Sequence, residues 1–191
     1  IIDCYNVLSG KATMKIRGVL MIASVLLVSL PARGQVDPRA EAYYLYCIGR
    51  MHEMQGESEQ SLSSYREALE KDPEAAYLHL ALAELHVKSN RVQDAVKSAE
   101  KALELDSELA GAHRLLGNIY FGLGRTEQDV TLLQKAMKEL EATVRLEGWD
   151  IDSRQRLAEL YLAHGRIDKA ATELEAIIKQ APDQYYAMYR L

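Results

Sequence analysis

The chain has 191 residues, 27% of them charged and 48% hydrophobic, and its formal net charge is −5 at pH 7. This length suits one domain or a short array of repeats. The acidic balance excludes nucleic acid and anionic membrane surfaces as main partners, because both require a basic footprint on the protein.

The N-terminal stretch differs in pattern from the rest of the chain. Residues 1–13 lack an initiator Met and show no apolar period, and we interpret them as a leader translated from upstream sequence. In residues 14–34, two basic residues precede an uncharged apolar run at 18–30, and "PARGQ" places Ala32 and Gly34 at the −3 and −1 positions of a cleavage site. This is the layout of a secretory signal peptide. The alternative of a membrane anchor needs about 20 apolar residues, and a buried helix would leave the two basic residues without a role.

Cleavage after Gly34 has consequences for charge and for cysteine pairing. It removes four of 23 basic residues and one of 28 acids, which leaves 19 and 27 and a formal charge of −8. Cys47 would then be the sole cysteine, so no intramolecular disulfide could form. We expect an exported protein, periplasmic or secreted and bacterial, with no membrane insertion once the signal is removed.

Two segments of the remaining sequence are similar: "LAELHVKSNRVQDA" at 82–95 and "LAELYLAHGRIDKA" at 157–170. Apolar residues at three- and four-residue spacing predict helices in these segments. A large aliphatic residue followed by a small one recurs at Ile48-Gly49, Leu82-Ala83, Leu116-Gly117 and Leu157-Ala158. Seven residues after each small residue stands Gly56, Asn90, Gly124 or Gly165. Because Gly and Asn tolerate a left-handed C-cap, each unit is predicted to be two antiparallel helices that approach closely at the small residue.

The 34-residue period and its anchor residues resemble the tetratricopeptide repeat. The first unit meets the family pattern at Leu45, Ile48-Gly49, Ser61, Tyr65, Ala68 and Pro73, and the fourth at Leu157-Ala158, Tyr161, Ala170, Leu174 and Pro182. No unit has the family's Trp, and His79 and His113 stand in its place. The resemblance covers about residues 40–191 and implies an all-α fold, an α-α superhelix of antiparallel helix pairs.

The predicted units have different lengths. The third is seven residues too long, and we assign the excess to a lengthened second helix with Thr126 as its N-cap, because the apolar period continues through the segment. A loop bulge is the alternative. We interpret Trp149, in the next turn, as a packing plug, meaning a side chain that fills space in the interior, rather than as a surface on which a ligand stacks. The predicted bounds are 42–75, 76–109, 110–150 and 151–184, followed by a partial fifth unit at 185–191.

The sequence contains no motif that predicts catalysis or metal binding. "HEMQG" offers Gly56 where a zinc-binding HExxH motif has its second His. "GLGRTE" at 122–127 follows a helix and lacks a third glycine, so it is not a nucleotide-binding loop. The remaining histidines occupy positions that the repeat pattern assigns to packing. We therefore predict a protein that is not an enzyme and that has no cofactor and no metal.

The resemblance also implies a concave groove, lined by the first helix of each unit, that binds a peptide or a partner helix. Tyr and Arg are enriched at binding hot spots. The alternative is that the tyrosines only cover neighbouring units. Arg114, Asn118 and Arg190 match part of a clamp for the terminal carboxylate of chaperone tails, but Arg156 and Tyr186 replace the other two clamp residues. The implied groove residues are Tyr43, Tyr46, Arg50, Tyr77, Leu80, Arg114, Asn118, Phe121, Arg156, Tyr186, Tyr189 and Arg190.

These observations predict an exported interaction module or scaffold whose partner is a protein or peptide. The alternative is a docking arm of a larger enzyme whose catalytic domain lies beyond residue 191. Because solenoids normally end in a polar capping helix and none is evident here, we expect the chain to be a fragment. The uncapped C-terminal end also leaves self-association open.

Overall fold

The computed structural model describes residues 37–182 and folds them into helices joined by short turns, with no β-strand in that range. This confirms the all-α prediction. The predicted leader, the signal peptide and the partial fifth unit lie outside the described residues. The helices are α1 Pro38–Gln55, α2 Ser58–Lys71, α3 Ala76–Lys88, α4 Val92–Leu105, α5 Ala110–Glu127, α6 Val130–Leu146, α7 Ile151–Ala163 and α8 Ile167–Gln180.

Consecutive helices pack as four hairpins, α1–α2, α3–α4, α5–α6 and α7–α8, and the second helix of each hairpin packs on the first helix of the next. Small residues make the pairing close. A Cβ atom added to Gly49 would lie 2.4 Å from Cε1 of Tyr65, and one added to Gly117 would lie 2.9 Å from Cδ2 of Leu140. The role predicted for the small residues is therefore confirmed.

The turns inside the hairpins use left-handed residues at three of the four predicted positions. Gly56 has φ 79°, Asn90 has φ 56° and Gly165 has φ 68°. At the fourth position the prediction is wrong: Gly124 lies within α5, and Gln128 adopts the left-handed conformation with φ 55°. Gly124 serves packing instead, because a Cβ there would lie 2.8 Å from Cδ2 of Leu133.

In the third unit both helices are longer than those of the second and fourth units, and not the second helix alone as predicted. Helix α5 has 18 residues, as α1 has, where α3 and α7 have 13, and α6 has 17 where α4 and α8 have 14. The predicted N-cap at Thr126 is wrong. The carboxylate of Asp129 begins α6 by accepting hydrogen bonds from the backbone N–H of Thr131 at 2.7 Å and of Leu132 at 3.3 Å. The hydroxyl of Thr126 donates to the carbonyl of Gly122 within α5.

The apolar core runs along the array rather than within one hairpin. One buried cluster includes Leu62, Tyr65, Leu78 and Leu85 and joins α2 to α3. A larger cluster, which includes Leu116, Leu140 and Leu157, continues from α3 to α8. Since each hairpin hides its apolar side on its neighbours, the array has the near one-dimensional packing of a solenoid.

Two further findings concern Cys47 and the hydropathy of the helices. Cys47 is buried, with 1% of its surface exposed. Within residues 37–182, none of the helices has the length and hydropathy needed to cross a bilayer.

Candidate interaction face

The first helices of neighbouring hairpins lie side by side. Nη1 of Arg50 on α1 is 2.9 Å from Oε2 of Glu84 on α3. A Cβ added to Gly111 on α5 would lie 2.8 Å from Cδ2 of Leu80 on α3. Helices α5 and α7 are joined in turn by an ion pair at 3.8 Å between Arg125 and Glu159. We call this surface the first-helix face; its members include the described residues Tyr43, Tyr46, Arg50, Tyr77, Leu80, Glu84, Val87, Arg114, Asn118, Phe121, Arg125, Arg156 and Glu159.

Three tyrosines form an aromatic cluster at the N-terminal part of this face. The ring centroids of Tyr46 and Tyr77 are 5.2 Å apart at an interplanar angle of 82°, and the ring of Tyr43 lies 6.0 Å from Tyr46 and 6.3 Å from Tyr77. Behind them, Tyr46 stacks on the buried ring of Tyr65 at 5.9 Å. Tyr43 remains 37% exposed. The cluster is thus supported by Tyr65 on its core side and open to solvent at Tyr43.

A charged network borders the aromatic cluster. The carboxylate of Glu53, whose side chain is 3% exposed, lies 3.1 Å from Arg50 and 3.0 Å from Lys88, and it accepts a hydrogen bond from the hydroxyl of Tyr65 at 3.2 Å. Burial raises the pKa of Tyr46 and of Tyr77 above the ordinary value for tyrosine. At neutral pH Tyr46 and Tyr77 therefore present neutral hydroxyl groups beside a compensated set of charges.

The C-terminal part of the face carries the residues that suggested a carboxylate clamp. Nη1 of Arg114 lies 3.0 Å from Glu147 and 3.6 Å from Asp150. Oδ1 of Asn118 is buried without a hydrogen-bond partner among the described residues. The guanidinium of Arg125 lies over the ring of Phe121 at 5.4 Å. Arg156 donates to the backbone carbonyl of Asp152 at 3.3 Å, and Tyr186, Tyr189 and Arg190 lie outside the described residues.

One model of the tetratricopeptide repeat family matches residues 48–110 and 80–141, and a second model of the same description matches residues 132–190. The matches together span residues 48–190. The chain belongs to the tetratricopeptide repeat family. No curated protein matches the chain.

Several solved structures have the same architecture. A crystal structure of MamA is 24% identical, with a TM-score of 0.65 and 78% of each chain covered. YrrB, described as a tetratricopeptide repeat protein with an unusual peptide-binding site, is 25% identical, with a TM-score of 0.65 over 78% of this chain and 73% of its own. The first such domain of Spaghetti, bound to the HSP90 peptide SRMEEVD, is 20% identical, with a TM-score of 0.59 over 66% of this chain and 98% of its own. These likenesses confirm the predicted α-α superhelix.

A group of three side chains that the sequence pattern did not predict recurs between the repeats. The hydroxyl of Tyr120 donates to Glu100 at 3.2 Å, and Nζ of Lys135 lies 5.5 Å from the centre of its ring. One repeat later, Tyr161 donates to Glu141 at 2.7 Å beneath Nζ of Lys169 at 5.3 Å. Burial is the main reason that the pKa of Tyr120 is raised to about 12, and the nearby Glu100 carboxylate adds to the effect. The separation of 20 residues between Glu and Tyr in both pairs is the signal that could have revealed it.

The equivalent position between the first two repeats holds His86 in place of tyrosine. Arg66 stands there at the position of Glu100 in the next contact. Arg66 on α2 and Arg91 and Asp94 at the start of α4 face this imidazole, and its Nδ1 is buried without a hydrogen-bond partner among the described residues. Burial and then Arg91 lower the pKa of His86 below its ordinary value, with Asp94 opposing them and Arg66 adding to them. The first contact between repeats therefore disfavours a protonated histidine.

This environment predicts a pH effect on stability. Because the pKa of His86 is lower in the folded chain than in the unfolded one, its contribution is complete above the unfolded pKa of about 6.5 and is lost as pH falls toward the folded pKa. We expect the free energy of unfolding, measured in urea, to fall over this window more in the natural chain than in His86→Gln. Parallel pH profiles of the two proteins would contradict the assignment.

Two other sequence-based expectations have different outcomes. Trp149 is 67% exposed, so its interpretation as a packing plug is wrong. Hydrogen bonds to the carbonyl of Gly148, from Arg154 at 2.9 Å and Gln180 at 2.7 Å, hold the turn while the indole remains in solvent. Among residues 37–182, no three His, Cys, Asp or Glu side chains are grouped to hold a metal ion.

Proposed function

We propose that this tetratricopeptide repeat protein is an interaction module that binds a peptide or a partner helix on its first-helix face. The observation that carries the proposal is the aromatic cluster of Tyr43, Tyr46 and Tyr77, which spans two repeats and is open at Tyr43. Tyrosine buries a large area at a low cost in conformational entropy and offers a hydroxyl group. The peptide-binding site attributed to YrrB, at 25% identity, supports the same class of function.

The geometry favours binding at this cluster over a purely structural role. Tyr46 stacks on the buried ring of Tyr65, and this contact supports the cluster on its core side. Tyr43 adds an exposed ring at the outer edge, where further packing within the described residues does not cover it. Since the rings are fixed by one another before a ligand arrives, little side-chain entropy remains to be lost on binding.

The test is a comparison of two neighbouring tyrosines on the same helix. Tyr43→Ala should weaken binding of a peptide obtained by selection on the natural chain by about 10-fold or more, because truncating a hot-spot residue to alanine costs about 2 kcal/mol or more. Tyr44→Ala is the matched control: Tyr44 is also exposed but takes part in none of the ring contacts of the cluster. Isothermal titration calorimetry measures the peptide affinity of both variants. Equal affinities would contradict a role of the aromatic cluster in binding.

We also propose that the chain is exported and cleaved after Gly34. The support is the signal-peptide layout of residues 14–34. Expression of the intact reading frame in a bacterium, followed by fractionation and mass spectrometry, should yield an envelope or secreted form that begins at Gln35. Substituting Ala32 and Gly34 by Leu should block cleavage and retain the longer form, whereas an uncleaved natural chain in the cytoplasm would contradict export.

A further inference from the structure

The cationic side chains of the first-helix face are largely compensated from within the chain, and this restricts what the face can accept. We infer that its ligand is a peptide segment without net charge, held by apolar and aromatic side chains at the aromatic cluster. The inference rests on the proposed function and specifies the partner for the same site. It is carried by the ion pairs along the face, from α1 to α7.

In the N-terminal half, two cations share two carboxylates. Arg50 lies 3.1 Å from Glu53 and 2.9 Å from Glu84, and Lys88 lies 3.0 Å from Glu53. The side chain of Glu53 is only 3% exposed, so packing holds its carboxylate beside Arg50. A ligand carboxylate directed at Arg50 would meet two carboxylates already in place.

In the C-terminal half, the acids come partly from outside the face. Glu147 at the end of α6 and Asp150 at the start of α7 both lie within 4 Å of Arg114, the residue that suggested half of a carboxylate clamp. Arg125 is divided between Glu159 at 3.8 Å and the ring of Phe121 at 5.4 Å. Arg156 donates to a backbone carbonyl.

These ion pairs disfavour ligands of either charge sign. An acidic ligand gains little from an arginine that must first release its own carboxylate, and it is repelled by the carboxylate released. A basic ligand meets Arg50 and Lys88 beside the aromatic cluster. An uncharged segment avoids both costs and can bury the exposed parts of Tyr43 and of Val87, which are 37% and 40% exposed.

The experiment begins with a random peptide library displayed on phage, selected on the purified full chain and counter-selected on Tyr43→Ala/Tyr77→Ala. Enriched peptides are synthesised and their affinity is measured from about 50 to about 500 mM NaCl, a range over which the screening length falls several-fold. We expect enriched peptides with no net charge, whose affinity changes by less than about two-fold over this range. Enriched peptides of one charge sign, with affinity falling ten-fold or more, would overturn the inference.

The outcomes also separate this inference from the proposed function. If no peptide depends on the aromatic cluster, the proposed function itself fails, whatever the charge of the peptides. Circular dichroism on each variant shows that loss of binding is not loss of fold.

A second measurement uses the acidic peptide SRMEEVD, which the first repeat domain of Spaghetti binds. Glu147→Gln removes the closer of the two carboxylates beside Arg114. We expect this variant to bind SRMEEVD at least about five-fold more tightly than the natural chain, because the guanidinium is partly released. Glu127→Gln, an exposed acid at the end of α5, is the control and should leave the affinity unchanged. Equal binding by the natural chain and Glu147→Gln would overturn the inference.

Discussion

Leu140→Ala is expected to lower the free energy of unfolding by about 2–5 kcal/mol, the range for a buried leucine replaced by alanine. Leu140 is fully buried on α6 and belongs to the cluster that also contains Leu116 and Leu157. Its Cγ and Cδ2 atoms lie against Gly117 of α5. The cavity would therefore open at the contact within one repeat and beside the contact with the next. Urea unfolding followed by circular dichroism measures the effect.

The matched control for Leu140→Ala is a large aliphatic residue at the surface. Ile167 begins α8 and is 60% exposed, so Ile167→Ala should change the free energy of unfolding by no more than about 0.5 kcal/mol. If both substitutions cost the same, Leu140 is not in the core of the array and the packing described for the third repeat is wrong.

Gly117→Ala and Gly122→Ala are expected to change stability in opposite directions, although both glycines lie in α5. A Cβ on Gly117 would lie 2.9 Å from Cδ2 and Cγ of Leu140 and 3.4 Å from its backbone nitrogen. Overpacking of this kind costs about 1–3 kcal/mol, which exceeds the gain of up to about 1 kcal/mol from alanine's helix propensity. Around Gly122 there is nothing within 4 Å, so only the gain remains.

Thermal and urea unfolding of these two variants measure the difference directly. We expect Gly117→Ala to unfold at lower urea concentration than the natural chain and Gly122→Ala at higher concentration. A stabilising Gly117→Ala would show that the helices of the third hairpin are farther apart than the structure has them. Because the two substitutions are chemically identical, helix propensity cannot account for opposite signs.

The helical hairpins could be predicted from the sequence because their determinants are local. Gly56, Asn90 and Gly165 each follow an apolar period and each adopt the left-handed conformation that ends a first helix. In the third repeat the predicted stop at Gly124 and the observed stop at Gln128 are four residues apart. Four residues are about one helical turn, so both stops keep the apolar face in place. Packing against Leu133 decides between them, and that contact cannot be inferred from local pattern.

The types of residue on the first-helix face could also be predicted, because the repeat register places them. Tyr43, Tyr46 and Tyr77 were expected on one face and do come together. Their charge partners could not be predicted in the same way. Glu147 and Asp150 lie in the turn between two repeats, where side-chain direction follows from the turn rather than from a helical period.

The most direct test of a binding site on the first-helix face is amide hydrogen exchange with and without a peptide selected on the natural chain. We predict slower exchange on binding in α1 and α3, which carry the aromatic cluster, and little change in α2 and α4. Protection confined to the second helices would contradict the assignment of the binding face.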